Sequence, residues 1–128
     1  MKIKLLTVFV DDQAKALKFY TEILGFVKKA DVTAYNYRWL TVVSPEEPDG
    51  TQLQLAPNTN PAAKTYQEAI FKQGTPAAMF YVDDVQKEYR RFKELGVKFT
   101  MEPTKTPGST IVMLDDTCGN LLQLTQLG

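Results

Sequence analysis

The 128-residue chain is one domain's worth of protein, and a 44% hydrophobic content is enough to fill a core without disulfide or metal staples. Fifteen Lys plus Arg balance fifteen Asp plus Glu, and no basic block of five or more occurs, so the electrostatic footprint of a nucleic-acid binder is missing. The chain has no histidine, which removes the commonest metal ligand, the commonest general base and every Ser-His-Asp or Cys-His nucleophile.

The opening "MKIKLLTVFVDD" carries two lysines and an apolar run cut off by Asp11 and Asp12, with no small-residue cleavage site. It reads as a strand in a cytoplasmic protein. No run approaches the ~18 apolar residues of a membrane helix, so no membrane contact is expected. The single cysteine, Cys118, cannot form an intramolecular disulfide, which fits a reducing compartment.

After Asp12, the residues Ala16, Leu17, Tyr20, Ile23 and Leu24 recur at three- and four-residue spacing and predict a helix that stops at Gly25. Three strands follow, "FVKKAD" (26–31), "YNYRWLTVVS" (35–44) and "TQLQLA" (51–56), with "PEEPDG" as a hairpin turn. Residues 57–76 form a link in which Pro61 to Lys72 is helical. The pattern then starts again. A strand reaches Val-Asp-Asp, a helix carries Val85, Tyr89, Phe92 and Leu95 on one face and stops at Gly96, and strands follow at 97–101, 109–114 and 120–125, with "DDTCGN" in place of the turn. Asp12 and Asp84 are helix caps.

The fold class is therefore α+β, with two βαβββ modules in a single 128-residue domain: module one at 1–57, a linker helix at 58–74 and module two at 75–128. Two copies are too few for a solenoid and read as modules sharing one core. Period-two alternation assigns faces. Leu6, Val8, Val10, Leu40, Val42, Leu53, Leu55, Ala78, Phe80, Val82, Leu122 and Leu124 belong under the helices. Leu5, Thr7, Phe9, Tyr37, Trp39, Gln54, Ala77, Met79, Tyr81 and Gln123 face the other way, into an expected cleft. Phe9, Tyr37, Trp39, Met79 and Tyr81 would line that cleft for stacking a planar or apolar ligand, or serve as plain core aromatics. Arg38 on the opposite parity is expected in a strand-edge salt bridge. A thiol flanked by Asp115 and Asp116 makes a poor nucleophile, so Cys118 is a bystander.

Three stretches, "VDDQAKALKFYTEILGF", "VDDVQKEYRRFKELGV" and "DDTCGNLLQL", give the chain a resemblance to the vicinal oxygen chelate superfamily, which groups glyoxalase I, bleomycin-resistance proteins and extradiol dioxygenases. The last stretch is similar to that family's Asp-Pro-Asp-Gly-Asn turn, with Thr117 and Cys118 in place of Pro and Asp. The resemblance covers essentially the whole chain. In metal-using members it implies His, Glu, His and Glu ligands on the first and last strands of the modules, at the positions held here by Leu5, Gln54, Ala77 and Gln123. None of the four is His or Glu, so no metal and no cofactor is expected. The two glutamines either hydrogen-bond each other or buried water, or contact a ligand.

The resemblance also implies a homodimer and, as leading function, metal-independent binding of a small apolar or aromatic molecule, as in the drug-sequestering branch. The alternative is a lyase, isomerase or dioxygenase, metal-dependent or drawing a general acid from Tyr37 or Tyr81. No catalytic residue is assigned.

Overall fold

The computed structural model describes residues 1–128, and its contacts divide the chain into two compact units, Met1–Thr65 and Tyr66–Gly128. The first contains β1 (Leu5–Val10), α1 (Gln13–Lys18), which runs on into a π-helical turn (Phe19–Ile23), β2 (Val27–Ala34), β3 (Tyr37–Val43) and β4 (Gln52–Pro57). The second contains β5 (Ala78–Tyr81), α3 (Val85–Glu94), β6 (Phe99–Thr106), β7 (Ser109–Asp115) and β8 (Leu121–Leu127). The boundary falls within α2 (Pro61–Lys72), the helix expected as a link. Each unit has the expected strand-helix-strand-strand-strand order. The sheets run β1-β4-β3-β2 and β5-β8-β7-β6, with the first and last strand of each unit parallel and the other pairs antiparallel. No helix is long and apolar enough to cross a membrane.

Local chemistry explains the elements. The Asp12 and Asp84 carboxylates each accept from the backbone N–H three residues on, at 3.0 Å, and so cap α1 and α3 as expected. In the second unit the Gln126 side chain adds a further acceptor for Val85 N–H at 2.9 Å. Under the helices lie Val8, Val10, Ala16, Tyr20, Leu40, Val42 and Leu55 in the first unit and Val85, Phe92, Val112, Leu114, Leu122 and Leu124 in the second, all buried. Burial of each large aliphatic side chain contributes roughly 1.5–3 kcal/mol.

Four local expectations are corrected. The first helix does not keep a 3.6-residue period to Gly25. It widens into a π turn, which brings Phe19 into the core beside Tyr20, ring centroids 5.8 Å apart and edge to face. Within it Thr21 donates its hydroxyl to Leu17 C=O at 2.6 Å. Tyr35 and Asn36 are not strand but a two-residue turn between β2 and β3. Both have positive φ, 53° and 62°, as the twist of a tight hairpin requires. Leu6, near the start of β1 opposite Leu53, is exposed and not under a helix, whereas Val8 and Val10 further along the same strand are buried. Leu95 is also exposed, since α3 ends at Glu94 and leaves it at the cap.

Candidate functional site

In the first unit the strand register sets Thr7 opposite Gln54 and Gln54 opposite Thr41, so one face of the sheet carries these three side chains with Tyr37 and Trp39 further along β3. Gln54 is only 7% exposed and is held at both ends. Its Oε1 accepts from the Thr7 hydroxyl and its Nε2 donates to the Tyr37 hydroxyl, each at 2.9 Å. Beside it, Thr41 donates to Gln52 Oε1 at 2.8 Å. Around these amides, Gln54 buried and Gln52 half-buried, the aromatics stay open: Tyr37 is 43% exposed and Trp39 39%, with Val32 exposed opposite Trp39 on β2. Leu5 and Phe9 lie half-buried on the same face of β1. All six first-unit positions singled out in the sequence therefore share one face.

The second unit repeats the scaffold with different chemistry. Gln123 stands opposite Met79 on β5 and Met113 on β7, the same relation that Gln54 has to Thr7 and Thr41. The two glutamines thus occupy equivalent places. Gln123 Nε2 donates to Thr125 Oγ1 at 3.1 Å. Because Met101 pairs with Met113, a row of Met79, Gln123, Met113 and Met101 crosses the whole sheet. Every methionine except Met1 is in that row. Met79 and Tyr81 are exposed, at 54% and 64%, and Ala77, just before β5, donates its N–H to Leu121 C=O at 2.8 Å.

Neither unit offers the donors of a divalent-ion site at the four positions marked by the family resemblance. Leu5 and Ala77 present hydrocarbon, one lone pair of Gln54 Oε1 is taken by Thr7, and the amides of Gln54 and Gln123 bring no charge. No group of three or more His, Cys, Asp or Glu side chains is placed to hold a metal. These residues do not fit the ion that metal-using members hold.

Arg38 lies off this face. Its guanidinium donates twice to the Asp31 carboxylate, both at 2.9 Å, the strand-edge pair expected from parity. Hydrogen bonding from Arg38 holds the Asp31 carboxyl below the usual carboxylate range, and the same contact raises Arg38.

Sequence reasoning missed a polar knot behind β8. Asp116 is buried and accepts from Cys118 N–H at 2.7 Å, Asn120 N–H at 2.9 Å and Asn120 Nδ2 at 2.8 Å. The α2 side chain of Gln67, also buried, donates to Cys118 C=O at 3.1 Å and Asn120 Oδ1 at 3.2 Å. This knot ties α2 to the turn that leads into β8. The Asp and Asn of "DDTCGN" were a legible signal for a turn; Gln67, more than fifty residues away in sequence, gave none.

The model for the Glyoxalase/Bleomycin resistance protein/Dioxygenase superfamily matches residues 2–124. The chain belongs to that superfamily. The uncharacterised protein YurT of Bacillus subtilis (strain 168) is 59% identical over 126 residues, covering 98% of this chain and 99% of its own. Among solved structures, that of UcmS2 superposes with a TM-score of 0.85 at 31% identity, covering 98% of this chain and 97% of its own. TnmS3, an antibiotic binding protein from Streptomyces sp. CB03234, gives 0.80 at 30% identity, covering 100% and 97%.

Proposed function

We propose that this superfamily member is a metal-independent binding protein for a small, largely apolar or aromatic molecule. On the first unit the molecule contacts the sheet face that carries Leu5, Thr7, Phe9, Tyr37, Trp39 and Gln54; on the second unit, taken by itself, the candidate ligand-binding positions are Ala77, Met79, Tyr81 and Gln123. The protein does this as a cytoplasmic homodimer. The observation that carries the reading is the first-unit face, where a buried, doubly bonded amide sits among open aromatic rings. Rings give large contact area at low entropic cost, and a few fixed polar groups orient what lies on them. The likeness to TnmS3, an antibiotic binding protein, supports the same reading.

Trp39 is the only tryptophan, so its emission reports on this face alone. Titration with planar aromatic compounds should change that emission saturably, with elemental analysis of the same sample showing no stoichiometric Zn, Ni, Fe or Mn and sedimentation showing a dimer. Binding seen by calorimetry without any change in Trp39 emission would move the site elsewhere. Stoichiometric metal would return the protein to the lyase, isomerase or dioxygenase class.

A further inference from the structure

The hydrogen bonds around Gln54 have a direction, and the direction selects a ligand chemistry. Gln54 Oε1 faces the Thr7 hydroxyl and accepts from it, and Nε2 faces Tyr37 and donates to the phenol oxygen Oη. The phenol is used within the chain only as an acceptor, so its own proton is committed to no group of the protein. Tyr37 is 43% exposed, and Trp39, two residues along on the same face, offers a ring beside it. A phenol that already accepts a hydrogen bond is polarised into a better donor.

Resting on the binding role above, we propose that Tyr37 is the specificity-determining residue of this face, a preset hydrogen-bond donor, and that the ligand taken there is a planar molecule carrying a carbonyl or comparable neutral acceptor. Thr7 is the positioning residue. Without its proton on Oε1 the amide is free to turn over, and Tyr37 would then donate inward and present only lone pairs to a ligand.

The test uses two probes of one shape, 2-acetylnaphthalene and 2-isopropenylnaphthalene, which differ in C=O against C=CH2. Both are titrated by calorimetry into the wild-type protein, Tyr37→Phe, Thr7→Val and Thr7→Ser, each first checked by thermal melting for a cooperative fold. Wild type should bind the ketone about three- to tenfold more tightly than the alkene, the worth of one net hydrogen bond. Tyr37→Phe should abolish that preference by weakening the ketone alone, Thr7→Val should reduce it, and Thr7→Ser should keep it. Equal binding of the two probes by wild type, or a preference that survives in Tyr37→Phe, overturns the proposal. If neither probe binds wild type or alters Trp39 emission, the binding role itself falls, and this assignment with it. The Thr7 pair separates positioning from mere structure, because a loss that serine does not restore would show that the hydroxyl is not what sets the amide.

Discussion

Gly119 is the residue on which the geometry of the last strand turns. Its φ of +100° lies in the region that costs an L side chain strain, and a Cβ there would sit 2.6 Å from Gln67 Nε2. Gln67 is the far end of a flexible side chain, but it is buried and bonded to the turn it would have to leave. Gly119→Ala should therefore destabilise by about 2–3 kcal/mol, from backbone strain plus the disrupted amide, and urea unfolding would read it. Adding Gln67→Ala removes the clash but not the strain, so the double variant should be less destabilised than the sum of the two single ones. Additive losses would mean that the glycine and the glutamine do not meet. At this scale the sequence was partly legible: the paired glycine-to-glutamine spacing led to Gln54 and Gln123, and the register confirms that they are equivalent. What each amide does was not legible. Gln54 is bonded to Thr7 and Tyr37, 47 and 17 residues away, and Gln123 to Thr125 on its own strand, and neither set of partners follows from alternation.

Elements were read well where burial enforces a period and poorly where backbone chemistry overrides it. The strands of both units and all three helices were foreseen, because apolar residues repeat at two or near 3.6 only when one side is covered. The π turn escaped, since Phe19 and Tyr20 are adjacent and no regular helix puts neighbours on one face. The β2–β3 turn escaped because "YNY" looks like strand: tyrosine favours extended structure, yet Tyr35 sits at φ 53°. That residue is exposed and poorly suited to its conformation, whereas asparagine tolerates it. Tyr35→Asn should stabilise the hairpin by about 0.5–1 kcal/mol, seen as a raised Tm with unchanged Trp39 emission. A lowered Tm would mean that the ring of Tyr35 makes a contact worth more than its backbone cost.

Across the whole molecule, the two units share one scaffold and differ in what they place on it. The row that crosses the first sheet reads Thr7, Gln54, Thr41 and Ala30, and its counterpart in the second reads Met79, Gln123, Met113 and Met101. The duplication was visible in the sequence as two Val-Asp-Asp-helix-Gly passages; the gathering of methionines was not, because they are scattered over 35 positions and only pairing across strands aligns them. Thioethers are polarisable and adaptable, and they are also the side chains that oxidants convert to polar sulfoxides. The second sheet face therefore carries a chemical vulnerability that the first lacks. Mild peroxide should oxidise Met79 well before the half-buried Met101 and Met113, as peptide mass mapping would show once the terminal Met1 is set aside. Equal rates at all three would contradict the exposure of the row. In a cell under oxidative stress, the reductases that repair methionine sulfoxide would then find substrates on the sheet face of the second unit and none on that of the first.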